Sequence, residues 1–472
     1  MPQRRSHVAP SAAQTELAAA LAGLRAELDA PVDFPADVLD EARSSTSPAP
    51  ELDLRDVPFV TLDPPGSRDL DQAFHLDRDG GGYRVRYAIA DVPGFVAPGG
   101  AIDLEARRRG QTLYAVDGSI PLHPPVLSEN RASLLPDVDR PALVWTFGLD
   151  GDGVVIATRL ERALIRSRAQ LDYAGAQAAI DRGEGGAVSL LPEIGRLRIA
   201  QERARGGASL NLPDEEVIRT DGGGYAIRRR SPLPVEEWNA QLSLMTGMAA
   251  ASLMLEARIG ILRTMPRPDD AAFDTFRRQT AALGRPWAGG EYGDFLRGLD
   301  RTDPLTLPVL QAAATLFRGA GYATFDGSVP DETVQAAIAA PYAHATAPLR
   351  RLVDRWTLTI CLAVSRGEPV PAWVRDSLAD LPGLMQESSQ RASRLDAATV
   401  NAVEAALVTP LVGTWVDATI IELRGERARI QLGDPAVTAS ASVPPEARPG
   451  DVVRLRVARA DIAAGEIEFS LG

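Results

Sequence analysis

Lysine is absent from this chain of 472 residues: all 50 basic side chains are arginines. Any phosphate contact must therefore come from a guanidinium fork or a backbone amide, never from an ammonium point charge. Cysteine occurs once, at Cys361, so no intrachain disulfide can form and a reducing, cytoplasmic compartment is expected. No apolar run approaches the length of a membrane helix, so no membrane partner is expected. The N-terminal stretch "MPQRRSHVAPSAAQTELAAALAGL" is followed by Arg25, contains Glu16, and forms no apolar core of signal type. Positive charge is also in deficit: the formal net charge of -13 taken alone argues against a nucleic-acid partner. A global acidic balance can still hide a local basic channel.

What is present is the composition of a globular protein, 45% hydrophobic and 24% charged, in a chain long enough for two to four domains. Residues 14–30 carry leucines at helical spacing, and "FPADVLDEARSS" reads as a second short helix. A Pro- and Ser-rich stretch, "STSPAPELDLRDVP", reads as a linker after them. From about residue 57 the period changes to strands, as in "GGYRVRYAIADV", separated by turn signals such as "LDGDGVV". Residues 235–262 read as one long buried helix, and "PLRRLVDRWTLTICLAVSRG" and "DAATVNAVEAALV" as later ones. Strands first and helices later imply an α+β arrangement with a mixed sheet and surrounding helices. The tail holds five short strand-like runs in about sixty residues, the size of an OB-fold barrel.

The stretch "LDPPGSRDLDQAFHL" sets Asp63, Asp69 and Asp71 within nine positions. Like charges so close repel and resist burial, so a solvated loop is the plain reading. Two features weigh against it. Asp69 and Asp71 share a face in extended backbone. The Pro64-Pro65-Gly66 turn can fold Asp63 back toward them, at the edge of a core marked by Leu62, Leu70, Ala73 and Phe74. Converging carboxylates of this kind suit a hard cation such as Mg²⁺, which takes a few carboxylates and completes its shell with water and phosphate oxygens.

"DPPGSRDLDQA" resembles the catalytic signature of the ribonuclease II family of processive 3′→5′ exoribonucleases. "AIADVPGFVAPGGAIDLEARRRGQTLY", "IPLHPPVLSENRASLLP", "RGGASLNLPDEEV", "VEEWNAQLSLMTGMAA" and "YAHATAPLRRLVDR" are similar to further family stretches, in the family's order, over roughly residues 55–360. The resemblance implies a small N-terminal helical module (1–50), a ribonuclease II-type catalytic domain (51–408) and a C-terminal RNA-binding barrel of OB-fold type (409–472). It implies hydrolysis of single-stranded RNA to nucleoside 5′-monophosphates by a monomer using Mg²⁺, with Mn²⁺ as a substitute.

By similarity, Asp63, Asp69 and Asp71 surround the cation, with Asp71 the most important carboxylate. The family pattern ends in two adjacent aspartates, and Gln72 stands at the second, where it would be a neutral and weaker ligand. In "TAPLRRLVDRW", Pro348 suits the first turn of a helix, which places Arg350 near its N-terminus and Arg351 about a turn from Asp354. The resemblance makes Arg350 the residue that holds the scissile phosphate, with Arg351 beside it on the RNA. Ala347 and Leu352 replace a family Ser and Tyr.

Tyr114 would stack on a base near the 3′ end, with Leu210 on the other side of that base where the family has an aromatic. Glu237, with Glu236 as the alternative, would contact a ribose 2′-hydroxyl, which distinguishes RNA from DNA. His344 is one of four histidines and reads as structural or RNA-contacting. The family often carries two cold-shock-type barrels before the catalytic domain, and fifty residues are too few for them. Gln72 and Leu210 motivate a competing reading, a catalytically weakened RNA-binding protein that keeps the fold.

Overall fold

The computed structural model describes residues 12–28, 31–116, 118–207, 214–219, 225–300, 306–425, 427–433 and 437–471. Its centre is a mixed sheet of six strands: β1 (Leu52–Asp53), β2 (Phe59–Asp63), β3 (Gln72–Asp79), β4 (Gly82–Ala90), and, after a small hairpin β5 (Leu113–Ala115) and β6 (Gly118–Ile120), β7 (Asp139–Leu149) and β8 (Val155–Asp172). The order is β1-β8-β2-β3-β4-β7, and β8 also pairs with β7, so the sheet curls back on itself. β1 and β2 run parallel to β8, while β2–β3, β3–β4, β4–β7 and β7–β8 are antiparallel.

Alternation along these strands sorts side chains into two cores. Tyr83, Val85, Tyr87 and Ile89 of β4, with Leu143, Trp145, Phe147 and Leu149 of β7, face one core. Ala88 and Ala90, with Ala142 and Val144, face the other. The large-residue face is covered by helices α3 (Pro234–Ala257) and α4 (Leu352–Ser365), through residues such as Met245, Met254 and Trp356. The small-residue face lets backbone approach closely, and Leu349, from the segment before α4, enters it beside Leu70. That inward step of a distant segment is what assembles the site.

The tail forms a five-stranded, nearly closed antiparallel barrel between Trp415 and Ser470, with β-bulges between Ile420 and Glu422 and between Val457 and Arg459. The last long helix, α5 (Leu381–Val408), packs its final turns into the barrel core through Ala402, Val403, Ala406 and Leu407. The two N-terminal helices do not share a core. The first (Ala12–Glu27) sends Leu17 and Leu21 into the barrel core. The second (Ala36–Ser44) sends Val38 and Ala42 into the small-residue core of the sheet.

Three local expectations shift. The helix expected over 235–262 stops at Ala257, because Arg258 adopts a left-handed conformation (φ 56°). Residues 259–264 then form a strand paired with 321–326. Leu52–Asp53, inside the expected linker, pairs with Ala163–Leu164. The helix expected to begin near Pro348 begins at Leu352, with Arg351 extended (φ -131°, ψ 124°) just before it.

Leu21 is 2% exposed within the barrel core. Leu21→Ala is expected to cost about 2–5 kcal/mol, read as a lower denaturant midpoint for the barrel. An unchanged midpoint would show that the N-terminal helix does not stabilise it.

Candidate active site

β2 ends at Asp63 and β3 begins at Gln72, so residues 64–71 are a connection that must turn between antiparallel neighbours. Pro65 and Gly66 take the middle of the turn, with Gly66 at φ 84° and the Ser67 N–H donating to the Pro64 carbonyl at 3.2 Å. Pro followed by a residue at positive φ is the type II pattern. Ser133 then pins the connection: its hydroxyl accepts from the Leu70 N–H (3.0 Å) and donates to the Arg68 carbonyl (2.6 Å). Asp71 enters the interior as the chain rejoins the sheet, its carbonyl accepting from the Ala90 N–H.

The Asp71 carboxylate is 4% exposed and accepts from the Leu349 N–H at 2.7 Å. Its other oxygen faces the Arg350 guanidinium at 3.5 Å. Burial raises its pKa well above the usual carboxylate value despite Arg350. Burial likewise pushes Asp63 up to about 6, with Arg350 lowering it and Asp69 raising it. Asp69 is also raised, by burial first. Asp63 and Asp71 are thus each close enough to feel Asp69, and all three feel the Arg350 guanidinium.

Arg350 keeps nearly half of its side chain exposed, open to an incoming phosphate. Tyr114, 56% exposed on β5, has a hydroxyl pKa that burial raises, and is near enough for Arg350 to lower it. The hairpin is tied to this segment by backbone: the Thr112 N–H donates to the Arg350 carbonyl and the Leu352 N–H to the Gly110 carbonyl, both at 3.0 Å. Asp69, Tyr114, Thr112 and Leu349 line one cleft of about 200 Å³.

Other expected residues are placed differently. Arg351 is not open to RNA: it makes two hydrogen bonds to Asp354, at 2.9 and 3.0 Å, and Asp354 is fully buried. His344 bonds Tyr322 through Nδ1 (2.8 Å), edge-on to Tyr322 and Tyr342. Burial, then Arg351, Arg263 and Arg350, hold its pKa well below the ordinary value, so it is a neutral structural imidazole. Of the two glutamates, Glu236 is committed to Arg230 (2.5 Å) and to the Leu233 N–H at the start of α3. Glu237 has no such bond among the described residues and is the one left for a ligand. Leu210 lies outside the described residues.

Gln72 departs most from expectation. As a ligand its carbonyl would face the cation. Instead Oε1 accepts from Tyr87 (2.5 Å) and Ser243 (3.3 Å), and Nε2 donates to the Thr346 carbonyl at 2.7 Å. Sequence reasoning missed Tyr87, Ser243 and Thr346, and also Tyr173. The Tyr173 hydroxyl is pushed up to about 12 by burial and by the neighbouring Asp63 and Glu236. Nothing in the sequence ties these to residue 72. Only Tyr173, directly after the β8 partner of Asp63, could have been found from strand pairing.

Part of a hard divalent cation's donor set is present. The Asp63 Oδ2 is buried with no hydrogen-bond partner, a state that an ion relieves. Among the described residues, no group of three or more His, Cys, Asp or Glu side chains is disposed to hold a metal ion by itself. An ion that keeps water and takes substrate oxygens suits such an open set better than one needing a full protein shell.

Carboxylates at a core edge, an exposed arginine and an aromatic on a hairpin thus lie in one region of a fold that also carries a five-stranded barrel. The comparisons agree. Residues 51–364 match the RNB domain and residues 415–472 the RNase II-type exonuclease C-terminal S1 domain. The chain belongs to the ribonuclease II family. Ribonuclease R of Escherichia coli (strain K12) is 30% identical over 336 residues, 67% of this chain and 40% of that protein. The matched part spans about two fifths of the length of the curated relatives. Mycoplasma genitalium RNase R, solved in complex with ribose methylated single-stranded RNA, shares the fold at a TM-score of 0.87 and 16% identity. That match covers 97% of this chain and 78% of that one. Yeast Ssd1, described as a pseudonuclease, also shares it, at a TM-score of 0.69 and 16% identity, over 87% of this chain and 52% of that one.

In the folded chain Asp63 keeps its proton up to about pH 6, above its ordinary value of 3.8. A raised carboxylate contributes stability below its unfolded value and loses it as pH rises to the folded value. The cation-free protein is therefore expected to lose stability between about pH 4 and 6 from this group. A divalent cation favours the ionised form, so MgCl₂ should raise Tm more at pH 7.5 than at pH 5, with EDTA reversing the gain. A Tm gain independent of pH would place the cation elsewhere.

Proposed function

We propose that this chain is a hydrolytic 3′→5′ exoribonuclease that degrades single-stranded RNA processively to nucleoside 5′-monophosphates, with Mg²⁺ as the ion and Mn²⁺ as a substitute. The observation that carries the reading is the buried Asp71 carboxylate, held by the Leu349 N–H and facing Arg350, with Asp63 and Asp69 alongside. Asp63, Asp69 and Asp71 would hold the ion, which supplies positive charge to phosphate oxygens and lowers the pKa of water.

The chain's own residues do the rest. Arg350 binds the scissile phosphate through its exposed fork and stabilises charge that grows on it during displacement. Asp71 orients that fork from behind. Tyr114 stacks on the base next to the phosphate, at a distance set by the backbone bond between Thr112 and Arg350. Glu237, at the start of α3, accepts from a ribose 2′-hydroxyl and favours RNA over DNA. His344, held by Tyr322 with its pKa lowered by burial, is left out of the proton transfers.

We assign residues 51–408 to the catalytic unit and 409–472 to an RNA-binding barrel, and read the protein as a cytoplasmic monomer. Among the described residues no helix is long and apolar enough to cross a membrane. A catalytically weakened RNA-binding protein is the second reading, favoured by Gln72 at a family aspartate position and by the fold shared with a pseudonuclease. The surviving acids, Tyr114 and Arg350 favour the enzyme.

End-labelled single-stranded RNA with Mg²⁺ decides between them. Wild type is expected to release mononucleotides from the 3′ end, and Asp71→Asn to release none; an inactive wild type supports the second reading. Arg350→Ala is expected to lower kcat about 10²–10³-fold. Tyr114→Ala should leave longer end products than wild type, and an unchanged product length would remove Tyr114 from the base contact.

A further inference from the structure

Gln72 is the residue that the nuclease reading leaves unused. Its amide is held at both ends, and the bonds fix its orientation. The Thr346 carbonyl can only accept, so the atom 2.7 Å from it is Nε2. Oε1 then takes the Tyr87 hydroxyl proton, and the Ser243 hydroxyl, 2.7 Å from that of Tyr87 and 3.3 Å from Oε1, shares its single proton between them. Tyr87 belongs to β4 and is fully buried, and Ser243 belongs to α3. The amide therefore joins the sheet and α3 to the segment that carries Arg350.

The neighbouring residue holds the same segment. Asp71 accepts from the Leu349 N–H and Gln72 donates to the Thr346 carbonyl, so two consecutive residues grip the chain at points three residues apart. Between and after those points the segment is short of regular structure. The Ala347 N–H is taken by Asp354 (2.7 Å), and the Arg350 and Arg351 N–H groups by the Ala347 carbonyl (3.2 and 2.9 Å). An ionised aspartate or glutamate at position 72 could not make the Thr346 bond, since a carboxylate only accepts. It would instead set negative charge against a carbonyl oxygen in a half-buried place.

We infer that Gln72 is a positioning residue: its amide holds the 346–350 segment so that Arg350 meets the scissile phosphate, a role that an ionised carboxylate in its place cannot fill. The site is then a three-carboxylate site by construction, and its fourth position serves the arginine rather than the cation. For the reaction the inference rests on the nuclease reading above. The clamp itself does not, and one arm of the test is independent of activity.

Gln72→Glu preserves shape and the acceptor half of the amide while deleting the donor to Thr346. Hydrogen–deuterium exchange of the peptide spanning 343–351 is the first measurement. Amides of Ala347, Leu349, Arg350 and Arg351 should exchange about two- to tenfold faster than in wild type, with peptides of the barrel unchanged. Unaltered exchange there overturns the clamp whether or not the protein cleaves RNA.

Kinetics are the second measurement. Gln72→Glu is expected to lower kcat about 10–100-fold, with KM for single-stranded RNA and the Mg²⁺ midpoint within about twofold of wild type. In an Arg350→Ala background the same change should have little further effect, because both act through one contact. A tightened Mg²⁺ midpoint with kcat kept or raised would overturn the inference and make position 72 a cation ligand. So would full additivity with Arg350→Ala. Gln72→Asn, which keeps a donor on a shorter arm, should recover part of the lost kcat, and a variant no better than Gln72→Glu would count against the donor.

Discussion

The buried carboxylate of Asp71 is the junction on which the site depends. It takes the Leu349 N–H with one oxygen and faces the Arg350 guanidinium with the other, across 278 positions of sequence. A carboxylate so enclosed is costly to ionise unless donors and positive charge surround it. The fold supplies a backbone donor and an arginine; in the function proposed above, an ion and a substrate meet the rest of the demand. The same backbone segment binds the Tyr114 hairpin through Thr112, so acids, arginine and aromatic are set relative to one another by main-chain bonds.

A chain without lysine has only guanidinium forks as permanent side-chain cations for its interior carboxylates. Asp91 takes two bonds from Arg162 (2.7 and 3.1 Å) and Asp103 takes one from Arg355 (2.6 Å), with all four residues buried. Each arginine presents several donors in one plane, which lets a single residue satisfy a carboxylate and still reach a carbonyl, as Arg355 does at Val96. Against this background Arg350 stands apart. It is the arginine of the site that keeps its fork open, while Arg351, one residue on, is closed onto buried Asp354. The difference comes from backbone: Arg351 immediately precedes α4 with Asp354 in its first turn, and Arg350 does not.

Much of this was readable in order along the chain. The Pro-Pro-Gly turn does return Asp63 toward Asp69 and Asp71, because Pro at one turn position and a positive φ at the next are local preferences. The strand-then-helix order, the barrel and the alternation of β4 followed from period and turn residues. Where the reading slipped, a local signal was outweighed by something remote. Pro348 looked like a helix start, but Leu349 is drawn into the small-residue core and its N–H into Asp71, so the helix waits until Leu352. The apolar run after Ala257 looked helical, but Arg258 turns the chain and 259–264 finds a strand partner sixty residues on.

The fate of Gln72 separates the two sources of information most clearly. Sequence by itself determined that three acids flank a tight turn at a core edge, that no lysine or intrachain disulfide takes part, and that residue 72 is an amide beside them. Those follow from residue type and spacing, which act over a few bonds. Only the tertiary structure decided what the amide does, because its partners, Tyr87, Ser243 and Thr346, come from a neighbouring strand, a helix and a loop 15, 171 and 274 positions away. A hydrogen bond is short and directional, so its partner is chosen by where folding brings distant segments, and residue spacing does not encode that.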